Sequence, residues 1–576
     1  MKYTVLNIFA WVCAAAVVAY GVSHSSGQSD KRLLLVDVPR TGMVIASAVA
    51  SSPTGQEAVA QEAAADTTTR EEADKETAEI SSRNPQAVAF NDTASTLIAK
   101  KDYRSAESFL RKALVLDSLY ARAHYNLGLV YHRTNRFGDA VKEYKTAATI
   151  RPAYYKPVYN LGLLYLSIAN NEEALTWFQK ATKINRSAES APAHYNIGLL
   201  YRRMGRTREA ESAYAEALRL SPGYVEPRYN LALIYLDADR YAEAASQFEK
   251  TAALGMKKSK VFKNLGVCYS KLDQHEKSVK AYRQALELDP VDAASWFNLG
   301  VALNHQNQTA EATEAYRHAI QADTGYVEAH YNLGALLGRQ NLPDSALSHF
   351  RAAIRLRPTY SKALFSIADQ FYDRIQYDSA AAYYVKVVEL DPENVKAYSN
   401  LGLTYSKLEK NSEAAKAYHH VIDQDPANER ALNNLGVAYL RVEEFDSALV
   451  YFTRLINLTK SPEAYFNRAK ANTELRRTDD AKSDYHMAIK LRNDYGKAYH
   501  NLAILEEQTD NLTEAASLLQ SAIKYDTDNW KSHWKLGQVY LKLGLADKAK
   551  EEYRTAAVAN PQSEKFQREY NALINK

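Results

Sequence analysis

Cysteine is nearly absent from this 576-residue chain. Its two copies are Cys13, inside the N-terminal apolar run, and Cys268, within a helical pattern, so a disulfide framework is excluded. Net charge is only +4, too small to indicate general attraction to nucleic acid. There is no Walker loop, no dinucleotide-type glycine motif after a strand, and no Cys/His set at metal spacing. Catalysis needs convergent groups in a concave site, and no such set is legible, so neither enzyme activity, cofactor nor metal is expected. Aromatic residues are missing altogether between Ala46 and Gln86. That stretch cannot bury enough apolar area to offset the entropy of ordering, and it reads as a disordered tether.

What the chain has instead is a period. The stretch Ala121 to Tyr154 recurs, with drift, from Ala87 to Ser563. We number its residues 1 to 34. Positions 4, 7, 8 and 11 (His124, Leu127, Gly128, Tyr131) share one face of a helix. Positions 20, 24 and 27 (Ala140, Tyr144, Ala147) share a face of a second helix, which Pro152 terminates because it lacks an N–H. Fourteen copies begin at Ala87, Ala121, Tyr155, Ala191, Val225, Ser259, Ala293, Val327, Ser361, Val395, Glu429, Pro462, Gly496 and Trp530. The copy at Tyr155 has two extra residues and that at Glu429 has one fewer. Position 8 is Gly in nine copies and Ala in five, and position 20 is Ala in all but one, Ser278. Small residues at 8, 20 and 27 let the paired helices approach closely, and large ones at 7, 11 and 24 fill the space between them.

This pattern closely resembles the tetratricopeptide repeat, whose signature is a small residue at 8, Tyr at 11, Ala at 20 and 27, and Pro at 32. The resemblance covers about four fifths of the chain. It implies an all-α, right-handed superhelical solenoid of about fourteen antiparallel helix pairs over residues 87–563. An amphipathic stretch at 564–576, with Phe566, Tyr570, Leu573 and Ile574 at helical spacing, is expected to cap the last pair.

Before the repeats, residues 1–22 form an apolar run near the ~20 residues that span a bilayer. It reads as a signal anchor, with a cleaved signal peptide as the alternative. Lys2 favours a cytoplasmic N-terminus, whereas Lys31, Arg32 and Arg40 follow the run closely. The expectation is a membrane-anchored protein with its repeats on the extracytoplasmic side, or else a secreted or periplasmic one after cleavage. Residues 23–86 read as a low-complexity linker, expected to be largely disordered, and acidic from Pro53 onward.

Positions 2, 6, 9 and 13 occupy a different face of the first helix, which in the family this chain resembles lines the inner groove. Position 6 is Asn in eleven copies: Asn126, Asn160, Asn196, Asn230, Asn264, Asn298, Asn332, Asn400, Asn434, Asn467 and Asn501. Asn is a poor helix former, and an amide offers two donors and an acceptor. A row of amides can clamp the backbone of an extended peptide without reading its sequence, or can bond the neighbouring repeat. The row is similar to the asparagine ladder of O-linked N-acetylglucosamine transferase, which holds protein substrates; no counterpart of that enzyme's catalytic domain follows the repeats here.

Position 13 is basic in Arg133, Arg203, Lys271, Arg339, Lys407, Arg441 and Lys542, and position 2 is basic in eight copies. Together the two positions carry fifteen basic and six acidic residues, so the groove is expected to favour acidic segments. Aromatic residues at position 5, such as Tyr125, Phe297 and Tyr331, read first as packing between helices and alternatively as ligand anchors. His124, His194 and His330 fall at packing position 4, and His419 and His420, being consecutive, should point apart at the surface. The expected function is a non-catalytic protein-interaction scaffold for extended acidic peptides. The alternative is a substrate-recruiting or assembly subunit of a separate enzyme or of a secretion or envelope complex.

Overall fold

The computed structural model describes residues 82–526 and 529–574. The predicted N-terminal span and most of the linker lie outside these residues. Among the described residues no helix is long and apolar enough to cross a membrane.

Twenty-eight α-helices alternate through fourteen repeats, and a twenty-ninth, Glu564–Ile574, follows them. No strand occurs among the described residues. In repeats 2 to 14 the first helix has 13 residues. Each second helix packs on its own first helix and on the first helix of the following repeat. The result is a continuous stack from Pro85 to Ile574 in which each repeat rests on its sequence neighbours, as expected of a solenoid.

The turn inside each repeat has one geometry throughout. Position 15 is left-handed in all fourteen repeats, with φ between 56° and 79°. In repeat 2 the N–H of Arg136 reaches back to the carbonyl of Tyr131 at 2.8 Å across Asn135. This Schellman closure satisfies the carbonyls that a helix end leaves unpaired. Only Gly205 and Gly544 occupy position 15 without a Cβ penalty.

The helix pair is held at close range by a ring against a glycine. A Cβ built on Gly128 would lie 2.7 Å from the Tyr144 ring, and one on Gly162 would lie 2.6 Å from Phe178. Position 20 is fully buried in every repeat, including the exceptional Ser278. That serine is tolerated because its hydroxyl donates to the Gly266 carbonyl at 2.9 Å and lies 2.6 Å from the Ser270 hydroxyl.

Departures in repeat length resolve locally. The two extra residues of repeat 3 coil into a short 3-10 turn, Ala188–Ser190, whose Glu189 carbonyl accepts from the Tyr155 hydroxyl. The residue missing from repeat 11 follows a 15-residue second helix, Phe445–Thr459, that ends on left-handed Lys460. The first helix starts at Pro85, two residues before the repeat boundary read from sequence. Asn84 caps it by accepting from the backbone of Gln86 and Ala87, and Pro fits the first helical turn. At the other end, Tyr570 of the last helix packs on the terminal core, and Trp534 donates to Glu569 at 2.6 Å. Phe566, Leu573 and Ile574, predicted for the same face, lie outside the described side chains.

Candidate peptide-binding groove

Position 5, next to the asparagine row, packs inside the helix pair. Its ring packs on the position-24 ring of the same repeat. Tyr125 meets Tyr144 at 5.9 Å, Tyr159 meets Phe178 at 5.5 Å, Phe297 meets Tyr316 at 5.9 Å and Phe466 meets Tyr485 at 5.7 Å. Several also meet position 34, as Phe297 does Tyr326 at 5.0 Å. Tyr125, Phe297 and Tyr331 are buried, so these rings are packing residues rather than anchors offered to a ligand.

Eight of the eleven asparagines of position 6 turn their amide donors toward the repeat before them. Asn160 donates to Tyr125, Asn196 to Tyr159 and Asn230 to Tyr195, all at position 5 of the preceding repeat, at 3.2, 3.2 and 3.3 Å. Where position 5 is Asn, its carboxamide oxygen accepts instead, so Asn126 bonds Asn91 at 2.8 Å and Asn467 bonds Asn433 at 3.3 Å. Where position 5 is Phe365, Ser399 or Phe466, the donor goes to the position-24 hydroxyl. Asn400, Asn434 and Asn501 bond Tyr384, Tyr418 and Tyr485 at 3.2, 3.3 and 3.2 Å. Asn298 and Asn332 follow Lys263 and Phe297, which offer no acceptor at position 5, and both are buried. Asn264 is half-buried. None of the eleven is exposed. At the eight bonded positions the amide fastens one repeat to the next, the second of the two roles that the sequence leaves open for this row.

The cations stand elsewhere. Arg133, Arg203, Lys271, Arg339, Lys407 and Arg441 are all exposed. Arg203 donates to Asn171 at 3.3 Å, Arg441 to the Ser406 carbonyl at 3.3 Å, and Arg339 to Asn304. Each of these contacts reaches the preceding repeat and none neutralises the charge. At position 2, Lys156, Lys260, Lys362, Lys396, Arg430, Lys497 and Lys531 are exposed and Arg122 is half-buried.

The charge is not spread evenly. Repeats 2 to 4 carry Arg122, Arg133, Lys156 and Arg203 at these positions and no acid. Repeats 10 and 11 carry Lys396, Lys407, Arg430 and Arg441, again with no acid. Repeat 5 interposes Glu226 and Asp237, and repeat 12 interposes Glu463 and Glu474. Near the C-terminal end, buried Glu507 pairs with both Lys535 and Lys542, the latter at 2.9 Å. Burial raises the Glu507 pKa, and the bonds from the two lysines outweigh it and hold the carboxyl below its usual value.

One carboxyl on the first-helix face of positions 2, 6, 9 and 13 behaves differently. Asp369, at position 9 of repeat 9, is pushed up to about 6 by burial, against the opposing bonds from Tyr384 and Asn400. No sequence signal marks it except an acid at a position that is usually Leu or Val. The histidines fall where their positions place them. His124 is half-buried, 2.6 Å from Glu143. His419 and His420 point apart, one to the Tyr439 hydroxyl at 2.7 Å and the other stacked 4.3 Å from Tyr398.

Family models described as tetratricopeptide repeat match residues 91–155, 157–223, 195–258, 259–291, 281–314, 306–361, 399–465 and 508–573, and one described as TPR repeat matches 368–409. The chain belongs to the tetratricopeptide repeat family. As a tetratricopeptide repeat protein it is 30% identical over 101 residues to human protein O-mannosyl-transferase TMTC2, which covers 17% of this chain and 12% of the relative. It is 27% identical over 93 residues to anaphase-promoting complex subunit 3 of Schizosaccharomyces pombe, covering 16% and 14%. The chain thus spans only a small part of the length of these relatives. Among solved structures, YrrB, described as a tetratricopeptide repeat protein with an unusual peptide-binding site, is 27% identical over 33% of this chain and 96% of its own, with a TM-score of 0.31.

Proposed function

We propose that this tetratricopeptide repeat protein is a non-catalytic interaction scaffold that binds extended acidic segments of partner proteins on the face bearing positions 2 and 13. The observation that carries this reading is the exposure of the cations there, in two stretches free of acids at those positions, repeats 2–4 and 10–11. Exposed charge of one sign steers and selects partners of the other sign. The amides support the groove by fixing how one repeat sits on the next, so the cations are presented on a constant spacing. Acidic interruptions at repeats 5 and 12 fit a client whose acidic clusters are separate rather than one unbroken run. Residues 1–22 would hold the scaffold at a membrane. Carbonate extraction of the full chain, compared with one beginning at Ser23, tests that part.

The test of binding is fluorescence anisotropy with a labelled oligoglutamate peptide on the full chain. Reversing Lys396, Lys407, Arg430 and Arg441 to Glu should weaken binding about tenfold or more and flatten its salt dependence. Equal affinity of this variant and the parent would end the proposal.

A further inference from the structure

Position 11 is tyrosine in eight repeats: Tyr131, Tyr165, Tyr201, Tyr235, Tyr269, Tyr405, Tyr439 and Tyr540. Its ring enters the seam against the preceding repeat, and its hydroxyl commonly reaches position 25 there. Tyr201 meets Gln179 at 2.9 Å, Tyr439 meets His419 at 2.7 Å and Tyr540 meets Gln520 at 2.8 Å. In repeat 7 the residue is Leu303 instead. Position 25 of the preceding repeat is Arg283, which turns away to Glu311 at 2.6 Å. The seam at this junction opens into a cavity of about 820 Å³. Leu303, Leu286 and Trp296 are among its lining residues, with Arg283, Glu287 and Glu314 alongside.

The wall is held in place without a ligand. The Trp296 indole donates to the Pro290 carbonyl at 2.8 Å and its ring stacks on His318 at 4.5 Å. The cavity's charges leave acceptor capacity: Arg283 pairs with Glu311 and Arg317 with Glu314, while Glu287 is exposed and makes no ion pair among the described residues. The place that the protein's own tyrosine fills at other junctions receives no position-11 ring here; Leu286, Leu299 and Leu303 line it beside the Trp296 indole, and carboxylate acceptors suited to a phenolic O–H rim it.

We infer that this cavity is a docking site for a tyrosine side chain of a partner protein. It stands apart from the cationic face, because much of its wall is made by second helices whereas the cations of positions 2 and 13 are on first helices. One partner can therefore occupy it while another lies along the cations.

The probe is 4-methylphenol, the tyrosine side chain as a free molecule, titrated into the full chain and followed by calorimetry and saturation-transfer NMR. Two variants close the site by different means. Leu303→Tyr restores the residue that other repeats use, and Ala310→Trp blocks the mouth from an exposed position with no core contact to disturb. Saturable binding to the parent, weakened about tenfold or more in each folded variant, is the expected result. If Leu303→Tyr does not fold, Ala310→Trp decides alone. Absence of saturable binding to the parent, or undiminished binding to the variants, overturns the inference. Toluene or butylammonium binding as tightly as 4-methylphenol overturns it too, since the site would then not select a phenol.

Discussion

The side-chain amide of Asn160 donates to the Tyr125 hydroxyl of the preceding repeat at 3.2 Å, and Asn160 is buried. The bond ties repeat 2 to repeat 3, beside the contact of the Lys145 ammonium with the Trp177 ring at 5.7 Å across the same junction. Replacing Asn160 with Ala removes the donor and leaves a large hydroxyl with one partner fewer, which should cost about 1 kcal/mol. Asn264 is half-buried and its amide bonds no neighbouring repeat among the described residues, so Asn264→Ala should cost less than half as much. Urea midpoints of the two variants at equal m-value separate these outcomes. Oligoglutamate affinity should change in neither. A fall in affinity with unchanged midpoint for Asn160→Ala would return the amide row to ligand binding.

Gly300 faces the Tyr316 ring so closely that an added Cβ would lie 2.7 Å from it. In an exposed helix Gly→Ala gains about 1 kcal/mol from propensity. Here the ring is fully buried and has no room to withdraw, so overpacking should dominate and Gly300→Ala should destabilise by roughly 1–3 kcal/mol. Thermal unfolding of this variant beside Gly138→Ala, where nothing lies within 4 Å, gives the sign directly. A gain in stability at both positions would show that the glycine is not needed for the close approach.

The helix pairs were legible because a period held over fourteen copies averages away local noise, and position 20 is buried in every one. The role of position 6 was only half legible. Its recurrence is plain, but whether Asn126 or Asn501 faces a ligand or a neighbour depends on what position 5 or 24 of the repeat before it offers. Tyr125, Asn433 and Phe466 make three different answers, and no single repeat read alone contains them. The left-handed residue at position 15 was hidden for another reason. Lys101, Ala169 and Ile375 are not residues that announce positive φ, and tertiary packing of the two helices imposes it on them. The first helix also began earlier than the period suggested, although Asn84 followed by Pro85 is a helix-start signal in its own right.

Ile375 carries that imposed conformation at its greatest cost. It has φ 62°, a β-branched side chain and 72% exposure, so no burial compensates the crowding of its Cβ. A left-handed conformation costs an L-residue about 1–2 kcal/mol, part of which Gly regains and part of which it loses again to unfolded-chain entropy. Ile375→Gly should therefore stabilise by about 0.5–1 kcal/mol, and Ile375→Asn by a similar or smaller amount. Differential scanning calorimetry should find both melting temperatures raised. A lowered value for both would mean that the exposed Ile375 side chain makes a contribution larger than the strain.

Asp369 gives the solenoid a pH dependence with a defined sign. Its carboxyl titrates near 6 in the folded protein against an ordinary value of 3.8. Between those values the folded chain holds a proton that the unfolded chain has released. Folding therefore binds protons in this window, and stability falls as pH rises from about 4 to about 6. Above the window the whole penalty is present, of order 1–3 kcal/mol given partial access to water. Asp369→Asn keeps an oxygen to accept from Tyr384 and Asn400 but carries no charge. It should match the parent near pH 4 and exceed it in stability by an amount that grows up to pH 7 and then levels. Denaturant midpoints of the pair across pH 4 to 8 cancel the contributions of every other titrating group. A difference that stays constant over that range would show that the Asp369 carboxyl is ionised throughout and that its bonds from Tyr384 and Asn400 outweigh its burial.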